Sequence, residues 1–272
     1  MPHRFHDSAL PADVELIIEV ERIASEAGGR LSALYSSKNR PSDRAGMIAA
    51  ARANEDASTD GLRAALEAAR PGAGWVEEEF ETSALPAGEW WVVDTVEGNV
   101  NHVHGLPEWC VSIALVRDGV PVLAVIRQPA MDVTLSALRD GGAFSNDEPM
   151  LVSAKQGLDI AVVSTGQAEA GQADTYRLIG ASVEAMLGAS LLVRAQVPST
   201  FPILLVAAGH TDAFWQYSPN LPGVAAGVLL VTEAGGTVST ISGDPWSPGA
   251  DTILLAAPGV HAPARAVLAG VA

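Results

Sequence analysis

Lysine is nearly missing from this chain. Its 272 residues include two, Lys38 and Lys155, and lysine plus arginine number 16 against 32 aspartates and glutamates. The net charge of −16 argues against nucleic acid as a partner, because a phosphate backbone needs a basic surface. A small anionic substrate stays open if something locally reverses the field, as a bound divalent cation does. Most of the acidity reads as solubility. The single cysteine, Cys110, rules out an intrachain disulfide and reads as a small buried strand residue. Long apolar runs are also missing. LPGVAAGVLLVTEAGG contains a Thr and a Glu, and the N-terminal MPHRFHDSAL lacks an apolar signal core. A soluble cytoplasmic protein with no membrane partner is expected.

What is present suffices for a core: 48% of the residues are hydrophobic. Residues 1–10 form a loose tail. Apolar positions Val14, Ile17, Ile18, Leu31 and Leu34 predict an amphipathic helix over Pro11–Tyr35, with Pro11 in its first turn. A polar loop at 36–46 leads to a second helix ending near Arg70, where Pro71-Gly72 stops it. CVSIALVRDGVPVLAVI reads as a hairpin turning at Asp118-Gly119 and Val133–Leu138 as the next strand, followed by the turn-rich RDGGAFSNDEP. After Ser153, strands over Ala161–Thr165, Leu191–Val197, Asp212–Gln216, Gly236–Ile241 and Thr252–Ala256 alternate with helices near 173–188, 200–209, 222–235 and 261–270. The first half, 1–153, thus reads as α+β with antiparallel pairing, and 154–272 as α/β.

Candidate chemistry gathers in two segments. WVEEEFE supplies Glu77, Glu78, Glu79 and Glu81; WVVDTVEGNVNHVHG ends a buried strand with Asp94, Glu97, Gly98 and Asn99. Acid runs are most often solvated edges. Here the two segments can lie side by side, and Asp-x-x-Glu offers two carboxylates and the Val96 carbonyl to a hard cation such as Mg²⁺. Gly98 permits the sharp bend that follows. A Trp cluster, Trp90, Trp91, Trp109 and Trp215, reads as core.

These motifs resemble the inositol monophosphatase family of Mg²⁺-dependent, lithium-sensitive phosphatases. The family's loop D-P-[IVL]-D-G-T-x-N-F-x-H-G is similar to DTVEGNVNHVHG, and its W-D-x-A-A-G-x-x-[LIV]-x-E-A-G-G to PGVAAGVLLVTEAGG. The resemblance covers nearly the whole chain. It implies an α-β-α-β-α layered sandwich with the active cleft between the halves, a homodimer, and metal-assisted in-line hydrolysis of a small phosphorylated metabolite. It further implies metal ligation by Glu78, Asp94, the Val96 carbonyl and Glu97, and phosphate contacts at Gly98 and Asn99. Glu78 and Asn99 fall where the family activates water.

Departures are equally plain. Glu97 replaces an Asp, adding roughly 1.5 Å of reach. Asn99 replaces a Thr, so an amide stands for a hydroxyl. Gly223 stands where the family has a second-metal Asp, and Gln216 where it has a Glu that contacts substrate hydroxyls. Glu55 takes the place of the last Asp of an upstream segment. One firmly held Mg²⁺, or Mn²⁺ in its place, is the expected cofactor, with weak lithium sensitivity. His104 reads as structural and His102 as a partly exposed residue at the site rim, its sharper alternative being a new general acid or metal ligand. A phosphomonoesterase, a catalytically silent binding protein and an enzyme of changed chemistry all fit this sequence.

Overall fold

Alternation along the strands explains the layers. The computed structural model describes residues 4–38, 40–77, 84–168 and 171–271. Trp91 and Val93, Ile113 and Leu115, and Leu123 and Val125 face one side of a sheet, while Val92, Ala114, Val116, Ala124 and Ile126 face the other. Both sides are apolar because both are covered.

That sheet has seven strands in chain order: β1 (Gly74–Trp75), β2 (Glu89–Glu97), β3 (Cys110–Arg117), β4 (Val120–Gln128), β5 (Val133–Leu138), β6 (Gly142–Ser145) and β7 (Glu148–Pro149). It is antiparallel except between β1 and β2. Its outer face is covered by α1 (Pro11–Leu34) and α3 (Leu62–Ala69), with α2 (Arg44–Thr59) packed on α1. A short helix, α4 (Asn99–His104), follows β2 directly.

The second half adds β8 (Val162–Thr165), α5 (Ala173–Leu187), β9 (Leu192–Ala195), α6 (Thr200–Ala207), β10 (Ala213–Tyr217), α7 (Leu221–Glu233), β11 (Thr237–Ser239), β12 (Thr252–Ala256) and α8 (Pro258–Ala269). Its sheet runs β11-β12-β10-β8-β9, with β8 parallel to β9 and β10, and β12 antiparallel to β10 and β11. Phe214, Ile253 and Leu255 face α6 and α7; Trp215, Leu254 and Ala256 face α5 and α8. The middle layer is therefore α6 and α7, wedged between the two sheets. All residues of α7 from Leu221 to Val231 are buried, as a helix apolar all round requires. The five layers are those expected.

The junction of the halves is tied by Asp212. This wholly buried carboxylate accepts bonds from Lys155 Nζ (2.7 Å), Ser153 Oγ (2.5 Å) and the Val162 N–H (2.7 Å).

The Asp118-Gly119 turn forms as expected, both residues at positive φ (50° and 78°). Two expectations need correction. The helix expected to end near Arg70 is two helices, because Gly61 at φ 69° breaks it between Thr59 and Leu62. Residues 4–10 are not a loose tail, since Phe5 and Ala9 are buried and the His6 N–H donates to the Gly141 carbonyl at 3.0 Å; the turn-rich RDGGAFSNDEP holds β6 and β7, which complete the sheet's edge. No helix among the described residues is long and apolar enough to cross a membrane.

Candidate active site

The site begins where β2 leaves its ladder. Pairing with β3 runs in register as far as Asp94↔Ser112, then shifts before Glu97↔Cys110. Thr95 and Val96 occupy that irregularity, as residues of a bulge do beside a site. Asp94 Oδ1 accepts from the Val96 N–H at 2.9 Å, an Asx turn that fixes the carboxylate. Glu97 is buried; Thr200 Oγ1 lies 3.0 Å from its Oε1 and 2.8 Å from the Gly223 carbonyl. Loss of water, then the charge of Glu97, pushes the Asp94 carboxyl well above its ordinary value.

Gly98 turns the chain at φ 83°, and a Cβ there would lie 2.6 Å from the Glu108 carbonyl oxygen. Only glycine fits. Asn101 then donates to both the Glu108 and the Val197 carbonyl at 3.0 Å, joining this wall to the other half.

Asn99 is turned onto α2. Its Nδ2 donates to the Ala51 carbonyl (3.0 Å) and to Glu55 Oε1 (3.2 Å), and its Oδ1 accepts from Asn54 Nδ2 (2.8 Å). The amide's bonding groups are thus taken up within the protein. Asn54 Nδ2 also meets His102 Nδ1 at 2.9 Å, and His102 Nε2 lies 3.0 Å from the Leu31 carbonyl. This fixes the neutral tautomer that donates from Nε2 and accepts at Nδ1. The expectation of a rim position for His102 is overturned: it is 3% exposed, packed against Trp109 and Tyr35. Burial lowers its pKa, opposed by the Leu31 carbonyl. His104 bonds the Val100 carbonyl within its own helix, 2.8 Å away.

On the facing wall, Asn220 caps α7, its Oδ1 accepting from the Gly223 N–H at 2.9 Å. A Cβ on Gly223 would stand 2.4 Å from that oxygen and 3.6 Å from Glu97 Oε1. The carboxylate of Glu97 therefore already reaches the space beside position 223. Gln216 is 6% exposed and its Oε1 has no hydrogen-bond partner among the described residues.

One cleft of about 650 Å³ runs here, lined by Glu55, Asp94, Glu97 and Asn99 from the first half and by Gln167, Ser199, Gln216 and Asn220 from the second. Arg63 is the one Lys or Arg among its described lining residues, and it is engaged by Glu67 (2.9 Å) and Glu77 (2.7 Å). Two crowded carboxylates without a basic partner, beside the Val96 carbonyl, form a hard-oxygen set that fits one divalent cation with water completing its shell. Glu78 lies outside the described residues, and among those described no three His, Cys, Asp or Glu side chains stand together as a metal site. Cys110, buried behind the pair, has its thiol pushed up by burial and by Glu97 and Asp94, and is inert.

Sequence reasoning missed Asn54, Asn101, Thr200 and Arg63. A clue to Asn54 was present, since it is a lone amide in the Ala-rich stretch of α2.

The sequence profile of the inositol monophosphatase family matches residues 23–269. An inositol-1-monophosphatase from Mesorhizobium japonicum is 34% identical over 231 residues, 85% of this chain and 84% of that protein. One from Rhizobium meliloti is 35% identical over 64% of this chain and 66% of its own length. Among solved structures, the extragenic suppressor protein suhB of Bartonella henselae superposes with a TM-score of 0.74 at 27% identity, covering 94% of this chain and 97% of its own. Other relatives carry the names fructose-1,6-bisphosphatase/inositol-1-monophosphatase and Nus factor SuhB. With the layers, the β2 bulge and the carboxylate pair in place, these matches establish that the chain belongs to the inositol monophosphatase family, a family of generally metal-dependent phosphatases acting on small phosphorylated substrates.

Proposed function

We propose that the chain is a phosphomonoester hydrolase for a small phosphorylated metabolite, a sugar, inositol or nucleotide phosphate. Mg²⁺ is its ion, with Mn²⁺ able to substitute, and it works as a cytoplasmic homodimer. The observation that carries this reading is the Asp94–Glu97 pair, crowded at the cleft floor without a basic partner. Asp94, Glu97 and the Val96 carbonyl would hold the cation, with Glu78 as the further ligand. When bound, the cation neutralises charge on the phosphoryl group and clamps it. The two halves, 1–153 and 154–272, each supply one wall of the cleft.

The chain's own groups have distinct tasks. Gly98 and Asn99 line the cleft beside the pair, where their backbone meets the phosphoryl oxygens. Asn99 holds Glu55 at the cleft through its amide. Glu55, and Glu78 by its likeness to the family's motif, would orient water for in-line attack on phosphorus, as the ester oxygen leaves. Gln216 and Gly223 face the alcohol part of the substrate.

A second reading, a binding protein with impaired catalysis, is favoured by the Asn99 amide, whose bonding capacity is spent on α2. Some relatives are named as Nus factors, which suits that reading. Enzymology of changed type finds no support, because Asn99 and His102, the two new polar groups, are both bound up internally.

Phosphate release from a panel of phosphomonoesters with Mg²⁺ and Mn²⁺ decides between the two. Turnover abolished by EDTA and by Asp94→Asn is expected. Silence from the natural protein, with turnover gained in an Asn99→Thr, Gly223→Asp variant, would mean that the scaffold is sound and hydrolysis has been lost, which overturns the hydrolase reading.

A further inference from the structure

Glu97 is steadied from the other half of the chain. Thr200, the first residue of α6, is 1% exposed, and its Oγ1 stands 3.0 Å from Glu97 Oε1 and 2.8 Å from the Gly223 carbonyl oxygen. A hydroxyl has one proton to donate, so the two acceptors compete for it. Gly223 sits in the first turn of α7, where a carbonyl already accepts from the N–H four residues on. Glu97 is 7% exposed, and its carboxylate is the stronger acceptor. The Thr200 proton therefore goes to Glu97 Oε1.

Apart from its contact with Asp94, the Glu97 carboxylate meets no other hydrogen-bond donor among the described residues. Arg63, the cleft's one described cation, is taken by Glu67 and Glu77. Thr200 thus engages one oxygen of the acid and leaves the other to whatever Asp94 and Glu97 hold together. The number of oxygens a carboxylate offers bears on which hard cation it suits. Mg²⁺ wants single oxygens in a near-octahedral shell, whereas Ca²⁺ takes both oxygens of one carboxylate in a larger and more flexible one.

We propose that Thr200 sets the cation preference of the site: by engaging Oε1 it holds Glu97 to one oxygen and favours Mg²⁺ over Ca²⁺. Thr200 acts through Glu97 and is therefore a positioning residue. A glutamate side chain turns about three bonds, so without this anchor nothing fixes which oxygen it presents. The inference rests on the reading of Asp94, Glu97 and the Val96 carbonyl as a divalent-cation site.

Calorimetric titration with Mg²⁺ and with Ca²⁺ compares the natural protein with three variants. Thr200→Val keeps the shape and removes the hydroxyl, Thr200→Ala does the same with a smaller side chain should valine fail to fold, and Thr200→Ser keeps the hydroxyl. An Asp94→Asn control that abolishes binding locates the ion being measured. The ratio of the Ca²⁺ Kd to the Mg²⁺ Kd should fall about tenfold in Thr200→Val and Thr200→Ala, and stay within about twofold of the natural value in Thr200→Ser. A merely structural role for the hydroxyl would weaken both cations alike and leave the ratio where it was. An unchanged ratio in the valine and alanine variants, or a serine variant shifted as far as valine, would overturn the assignment while leaving the cation site standing. If the natural protein binds neither ion, or binding survives Asp94→Asn, the cation reading itself has failed and the preference falls with it.

Discussion

Glu97 and Gly223 form one unit rather than two separate losses. A Cβ at 223 would stand 3.6 Å from Glu97 Oε1, so the longer acid brings its carboxylate to the space a shorter acid at 97 would leave to its neighbour. Glu97→Asp alone should therefore weaken Mg²⁺ binding by about tenfold to a hundredfold, read by calorimetric titration. Adding Gly223→Asp should recover most of that affinity, although the Asn220 cap must swing aside, at a cost of about 1 kcal/mol. A double variant no better than Glu97→Asp would refute the exchange. The substitutions at both positions were legible in the sequence; their complementarity was not, because it depends on how α7 approaches β2. His102 was misplaced for a similar reason. Nothing local shows that Leu31, on a helix distant in sequence, supplies the acceptor that buries it. Its neutral, buried state has a consequence for pH. Its folded pKa lies below its unfolded value, so the unfolded chain binds a proton that the native one refuses as pH falls below about 6.5. That part of the stability is present above this pH and is lost as pH drops to the lowered folded pKa. His261, also lowered by burial and then by Arg265, adds to the same slope. Replacing His102 by Phe should flatten part of this slope in urea melts between pH 7 and 5. It should also cost about 1–3 kcal/mol by leaving the Leu31 carbonyl without a donor. A slope identical to the natural protein's would show that His102 takes up its proton alike in the folded and unfolded chain.

At the scale of elements, the sequence displayed what repeats and hid what closes. Alternation in β3 and β4, the Asp118-Gly119 turn and the apolar run of α7 are local patterns, and each element formed where its pattern lies. Gly61 was readable as a breaker, yet the flanking helical periods masked it. The β6–β7 edge was hidden among turn residues because its strands are short and held by pairing with β5. Packing of α6 on α7 depends on Gly227, where a Cβ would meet Ile203 Cγ2 at 2.5 Å. Gly227→Ala should destabilise the fold by about 1–3 kcal/mol through overpacking, with Ile203→Leu in the same chain, which removes the Cγ2 branch at similar volume, relieving part of the loss. Additive losses in a denaturant titration would argue that the two helices do not touch there.

For the whole molecule, charge governs behaviour more than shape does. With a net charge of −16, the chain should pass through a heparin column at 0.1 M salt without retention. Retention there would point to a basic face. Arg117 is held by Asp13 and Glu89, which pins α1 to the sheet, and Arg70, at the end of α3, is held by the same Glu89. The two lysines differ in this respect. Lys155 is bound to the buried Asp212 at 2.7 Å, whereas Lys38 stands exposed on the loop before α2. Of the two lysines, a dye, cross-linker or surface tether aimed at amino groups will therefore favour Lys38 over the ion-paired Lys155, and will report from beside the helix that carries Asn54 and Glu55.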